Sequence, residues 1–379
     1  VTCGAINVLI GNGAGCDITS EFGNTAIGNE ARALGCFGVV VGSNAKATGR
    51  GVAIGSYARR GATCGCGSVA IGYCAMPLEN RGSLSYDGTS SNIAVGYCAM
   101  SSLTTGGNNI AIGVEAGAGL TNSTSNILIG RRAGCDITSG VSNIVVGSSA
   151  AATGSCNVVI GSSTRAITRT IAIGMQARTF ANCGCGSVAI GYNAMKTESR
   201  TNEGVSVSNV AIGYEAMDSL TTGHSNVSIG ANAGCWITSG CNNVSLGTTA
   251  IPSSSSACNE VTLGNSSITT LRCAVGTITT FSDERDKTDI TDLDWSTDFI
   301  KDMRPVKFTW NRRDGSLQGE KDLGFIAQEL DTVENKYTSQ EYTRLVHKEN
   351  PDLLEADTMR TYPILIKAMQ DLINRIEAI

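Results

Sequence analysis

Asn7-Val8-Leu9-Ile10-Gly11 is a small polar residue, an aliphatic, a variable residue, an aliphatic and a glycine, and this unit occurs sixteen times up to Gly264. Between Gly11 and Gly264 the spacings of its glycines run 17, 14, 13, 17, 24, 17, 17, then 17, 14, 13, 17, 22, 17, 17, with a final 17. Gly11 to Gly130 is 119 residues and Gly130 to Gly247 is 117, so a block of seven short repeats stands twice in tandem.

Aliphatic-x-aliphatic has the period of a strand, and glycine takes the positive φ at which a coil bends sharply. Coils of 13 to 17 residues are too small to fold alone, so they predict a stacked solenoid, with sixteen coils extending roughly 75 Å. The paired aliphatics are expected to fill its interior, each contributing roughly 1.5–3 kcal/mol when fully buried. The middle residue then faces the other way. It is alanine in eight copies: Ala26, Ala53, Ala70, Ala94, Ala111, Ala172, Ala189 and Ala211. Small side chains in a row suggest close approach of another chain, the plain alternative being an exposed row of tolerated alanines.

The composition changes at Phe281-Ser282-Asp283-Glu284-Arg285-Asp286-Lys287-Thr288-Asp289-Ile290. Before Ser282, 281 residues carry 12 acidic and 14 basic side chains; the remaining 98 carry 21 acidic and 14 basic. A nearly uncharged Gly/Ser/Thr/Asn/Ala array therefore joins an ordinary acidic domain. The expected divisions are 1–264 for the repeats, 265–281 for a narrow β-structured neck rich in Ser and Thr, and 282–379 for the C-terminal domain. In the last of these, a helical stretch begins at Asp298 to Asp302 and ends before Pro305, and Trp295, Phe299, Phe308, Trp310 and Phe325 are expected to supply a core. Leu365, Met369, Leu372, Ile376 and Ile379 are spaced 4, 3, 4 and 3, a heptad pattern too short for a stable coiled coil unaided.

Three motifs stand in order across this domain: Ser282-Asp283-x-Arg285-x-Lys287-x-x-Ile290, then Gly324-Phe325-Ile326-Ala327-Gln328-Glu329-Leu330, then Tyr362-Pro363-Ile364-Leu365-Ile366-Lys367-Ala368. Together they resemble the C-terminal intramolecular chaperone of phage tail fibres, tailspikes and endosialidases. The resemblance implies a domain that trimerises the fibre, guides its folding and cuts itself off between Phe281 and Ser282. It implies Ser282 as nucleophile and Lys287 as general base, a single-turnover serine-type endopeptidase, with Asp283, Arg285, Gly324, Ala327, Gln328 and Glu329 as chaperone motif residues. Asp286 stands where many members have an aliphatic residue. Chemically the pair is sensible, because a serine hydroxyl needs a neighbouring base and a desolvated lysine can supply one; the plain alternative is a solvated charged turn. The repeat unit, in turn, is similar to the head repeats of trimeric autotransporter adhesins, a left-handed β-roll with three chains around an axis, and the same unit precedes the chaperone in viral fibres.

Two coils are long, Gly72 to Gly96 and Gly191 to Gly213, and each carries a polar insertion. Insertions in solenoids collect on one face and often carry binding. Asn80, Arg81, Tyr86, Lys196 and Arg200 are therefore the receptor-binding candidates, the alternative being tolerated surface loops. The fifteen cysteines follow the repeat, as in Cys16 and Cys135 or Cys64-Gly65-Cys66 and Cys183-Gly184-Cys185, which suggests small buried packing positions more than bridges. Rings of Cys-x-Cys around an axis would be needed to hold a soft metal. The usual zinc spacing is Cys-x₂₋₄-Cys and the chain has only His224 and His347, so no metal and no cofactor is expected.

No Ser-His-Asp set, phosphate-binding glycine loop or defensible carboxylate pair lies in the repeats, and near-neutral coils argue against a nucleic-acid surface. Residues 137–164 hold no charge, but their apolar residues alternate with polar ones, which predicts strands and no membrane insertion. Val1-Thr2-Cys3-Gly4 does not open like a signal peptide, and the missing Met suggests a fragment. The expected fold is mainly β: a trimeric parallel β-roll or solenoid, then a small α+β chaperone domain ending in a short coiled-coil helix. The expected function is that of a viral tail fibre, made in the host cytoplasm and placed on the virion. Its expected partners are two further copies of itself, a host surface glycan or protein, and other tail proteins upstream. Alternatives are a cellular trimeric adhesin, which calls for a C-terminal membrane barrel, and a polysaccharide-degrading tailspike fragment, which calls for paired carboxylates.

Overall fold

A computed structural model describes residues 6–63, 67–79, 91–181, 186–198, 208–274, 278–313, 315, 317–338 and 342–379. The chain divides into two compact units, Val1–Gly264 and Asn265–Ile379. The first is a parallel β-solenoid. Its main sheet has sixteen strands, each of three residues. Neighbouring coils are strictly in register, as in Ile110↔Ile127↔Ile144 and Ile112↔Ile129↔Val146. Short parallel pairs, Arg32–Leu34 with Lys46–Thr48 and Ala151–Thr153 with Arg165–Ile167, form two further small sheets within the first unit.

Each coil turns the same way. All sixteen unit glycines have positive φ, between 77° and 146°. At Gly130, φ is +131°, and a Cβ added there would sit 2.6 Å from the carbonyl oxygen of Gly147 in the next coil. Glycine is thus needed twice over, for the bend and for the close approach of coil to coil. Three residues further on an alanine amide closes the turn, as where Ala133 N donates to Gly130 O at 3.2 Å.

The strands face the opposite way from the sequence expectation. In fourteen of the sixteen the middle residue is buried, and none of the flanking aliphatics is. All eight middle-row alanines are fully buried, so they point into the roll and are not a contact between subunits. A second buried alanine row, including Ala75, Ala99, Ala116 and Ala133, follows the glycines. The reason is volume. A coil of 13 to 17 residues encloses a narrow interior that two facing alanine rows fill, with Met76, Met100, Leu103, Leu120 and Leu128 taking the wider parts. The larger Val and Ile side chains are turned outward, and Ile112 and Ile129 are 41% and 38% exposed.

In most units the polar residue that opens the unit also lies inside. Asn109, Asn126 and Asn143 form a buried ladder in which each backbone amide and side-chain amide donates to the Oδ1 of the preceding asparagine at 3.0–3.2 Å. Each Nδ2 also reaches a loop carbonyl, those of Ser123, Gly140 and Gly154. The side-chain amides of these three residues are thereby used, which is what makes a polar row tolerable in a core.

The cysteines do not pack inside. Every described one is half-buried or exposed, because the narrow interior is already filled with alanine.

In the second unit, the described residues of 265–281 form no strand and are mostly exposed, so a single chain does not make the expected β neck. A narrow β-structure needs neighbouring strands to satisfy its backbone, and one chain passing once has none. Helices α1 (Thr297–Asp302), α2 (Ala327–Tyr337) and α3 (Tyr362–Glu377) surround a core of Phe299, Met303, Leu330, Val333, Leu345, Val346 and Ile364. Trp295 and Phe325 pack against it. Phe308 and Trp310 stand apart from it, edge to face with ring centroids 4.9 Å apart on the hairpin Val306–Thr309/Lys321–Gly324. On α3, Ile364 faces the core while Leu365, Met369, Leu372 and Ile376 are exposed, as is Ile379 just past its end.

Candidate functional site

Ser282 and Lys287 are brought together by a single turn. The Asp283 carboxylate caps a short 3₁₀ turn, Glu284–Asp286, by accepting from Arg285 N at 2.9 Å. Asp286 N donates to Asp283 O at 3.2 Å and Lys287 N to Glu284 O at 3.0 Å, which folds the chain back on itself. Lys287 Nζ then donates to Ser282 Oγ at 2.7 Å and to Ser282 O at 3.2 Å. Arg285 holds the capping carboxylate in a fork, Nε to Oδ1 at 3.0 Å and Nη2 to Oδ2 at 2.6 Å. That guanidinium, followed by the Arg285 backbone amide, keeps the Asp283 carboxyl below its ordinary pKa and the cap charged. The spacing Ser-Asp-x-Arg-x-Lys is therefore a folded unit: cap, clamp, nucleophile and amine.

As an exposed pair the arrangement is incomplete for catalysis. Phe281, Ser282 and Lys287 all lie open to water in the single chain. Here the lysine donates to the serine oxygen, whereas activation requires the serine hydroxyl to donate to a neutral amine. Nothing buried surrounds the pair that would favour that reversal.

The other motif residues lie in the helical part of the unit. Gly324 ends the hairpin and Ala327 opens α2, half-buried against the core. Gln328 O accepts from Thr332 Oγ1 at 3.0 Å within α2. Glu329 pairs with Arg304, whose Nε lies 2.9 Å away, and this holds the Glu329 carboxyl below its ordinary pKa. Among the described residues, no hydrogen bond or ion pair joins these residues to Ser282 or Lys287.

Of the receptor candidates, Asn80, Arg81, Tyr86 and Arg200 lie outside the described residues. Lys196 is half-buried, with its ammonium 5.9 Å from the Phe180 ring centroid. What the sequence reading missed is just beside them. Glu79 and Glu198, in the two long coils, are fully buried and paired with the equally buried Arg59 and Arg178. Glu79 Oε1 accepts from Ser68 Oγ at 2.9 Å and from Asn92 Nδ2 at 3.1 Å, standing where the asparagine ladder has a serine instead. Each ion pair holds the described part of its long coil's polar segment in the core. The signal was available: both members recur 119 residues apart in coils almost devoid of charge.

Among the described residues, no group of three or more His, Cys, Asp or Glu is arranged to hold a metal, and no helix is long and apolar enough to cross a membrane.

The segment that opens at the Ser-Lys turn has a known counterpart. Residues 282–339 match the Peptidase_S74 family, chaperone of endosialidase. The match begins at Ser282 itself and runs through α1, the hairpin and α2. No curated protein matches the chain. A chaperone-of-endosialidase segment following a β-solenoid fits a protein of the tail-fibre kind.

Proposed function

We propose that this chain is the shaft of a viral tail fibre, assembled as a parallel homotrimer by its C-terminal chaperone, which then cuts itself off between Phe281 and Ser282. The observation that carries the reading is the chaperone match starting at a serine whose Oγ is 2.7 Å from a lysine ammonium. Trimerisation is supported by the outward Val and Ile rows of the first unit and, separately, by the exposed apolar residues of α3 in the second, each an apolar face that neighbouring copies would bury. Cleavage is tied to assembly in this reading. The Ser282–Lys287 pair is exposed in one chain, and packing of the other two necks supplies the desolvation that lets the lysine act as base. Attack of Ser282 Oγ on the carbonyl carbon of Phe281 gives an ester by N-to-O acyl transfer, and water then hydrolyses it to release the 98-residue chaperone. The insertions rooted at Glu79 and Glu198 are the proposed contacts with a host surface glycan or protein.

The test is a denaturing gel of purified wild type beside Ser282→Ala and Lys287→Ala. Two fragments in wild type and one full-length chain in each variant, with assembly kept in all three, is the expected result. Wild type that assembles and stays full length would refute self-cleavage and leave the assembly role standing.

A further inference from the structure

We infer that Cys241 and Cys258 close into a disulfide within one chain, stapling the last coil of the solenoid to its neighbour. The two residues are 17 positions apart, one coil length, and each precedes by two the residue that opens its unit, Asn243 and Glu260. They therefore sit side by side on successive coils. The backbone around them is already fixed: Asn259 N donates to Cys241 O at 3.0 Å, and Asn242 Nδ2 donates to Asn259 Oδ1 at 2.8 Å. Their sulfurs lie 2.6 Å apart, and strands stacked at about 4.8 Å fall inside the Cα separation that disulfides span. Cys258 is exposed to an incoming oxidant.

The location gives the bond a purpose. The last strand, Val261–Leu263, has a neighbour on one side, its flanks are 69% and 52% exposed, and its middle residue Thr262 is not fully buried as in the coils before it. A terminal repeat frays first. A cross-link one coil in from the end holds that strand in register. Cys74 and Cys98 also stand on successive coils, but burial, then the neighbouring Cys74, pushes the Cys98 thiol up and lowers its thiolate fraction.

The oxidant is a low-molecular-weight disulfide such as oxidised glutathione. One protein thiolate attacks it, forming a mixed disulfide and expelling one glutathione thiolate. The second protein thiolate attacks the protein sulfur of that mixed disulfide and expels the other. Two protein thiols lose two protons and two electrons, and one small disulfide becomes two thiols.

The experiment uses the full chain, reduced, desalted, exposed to oxidised glutathione, then alkylated under denaturing conditions and digested for mass analysis. The expected product is a peptide pair joining Cys241 to Cys258, two hydrogens lighter than its parts, in a chain that still runs singly on a non-reducing gel. In Cys241→Ser, Cys258 should instead carry one glutathione. Limited proteolysis should cut the oxidised wild type within residues 250–264 several-fold more slowly than Cys241→Ser. Recovery of both cysteines alkylated, or of Cys258 joined to another chain, would overturn the bond, and equal proteolysis rates would overturn the staple.

Discussion

At the scale of the residue, two positions carry the solenoid's geometry, and both give measurable effects. Gly130 combines φ of +131° with a Cβ position already occupied by the next coil's carbonyl. Gly130→Ala should therefore destabilise the roll by at least about 1–3 kcal/mol, the usual cost of one strained backbone position, read by thermal or denaturant unfolding. An unchanged midpoint would mean that the coils are not packed at this distance. The buried Arg59–Glu79 pair makes the second case. Removing one partner leaves an uncompensated buried charge, so Glu79→Gln should cost about 3–5 kcal/mol. Replacing both by apolar residues, as in Arg59→Met with Glu79→Leu, should cost less than Arg59→Met and Glu79→Gln added together. The glycines were legible in the sequence because their chemistry is unique and their spacing regular. The ion pair was hidden among loop-like neighbours, and only its recurrence 119 residues later distinguishes it.

At the scale of the element, fourteen of the sixteen main-sheet strands present a buried middle residue between two outward flanking residues. Period two showed which residues share a face, but it is symmetric under exchange of inside and outside. The alanine three residues after fourteen of the sixteen unit glycines breaks that symmetry, since a second small row fits the opposite wall of a narrow interior. The outward rows then become the surface that another chain would cover. Ile112→Glu with Ile129→Glu should leave the circular dichroism of the strands in place and abolish association, read by light scattering. An undisturbed oligomer would move the contact elsewhere. The helical unit responds to acid. Arg304 beside Glu329, Lys336 with Tyr337 beside Asp302, and Lys367 with Ser296 beside Asp371 hold three carboxyls below their ordinary range, each linking separate segments. Their folded pKa values lie below the unfolded ones of about 4. The stability they contribute is present above that range and is lost as pH falls through the folded values. These groups are exposed and screened, so the loss should be modest and smaller at high salt. Helical melting followed from pH 6 to pH 3 checks it, and a unit that grows more stable toward pH 3 would contradict the assignment.

At the scale of the whole molecule, sixteen nearly equivalent coils would pose a problem of register in the proposed trimer, because a coil would meet the wrong coil of a neighbouring chain almost as well as the right one. In that proposal the separately folded C-terminal unit would set the register once, and its release would leave a shaft whose persistence rests on slow unfolding. The boundary between these two kinds of chain was legible as a change from sparse to dense charge around Ser282, and the Ser-Asp-x-Arg-x-Lys turn was legible as a motif. The neck was less so, because the described residues of 265–281 form no strand although their Ser/Thr-rich alternation reads as one. Native mass measurement of purified wild type and Ser282→Ala joins these points. Wild type should appear as three 281-residue shafts, and the variant as three intact 379-residue chains. A folded monomer of either length would contradict the account.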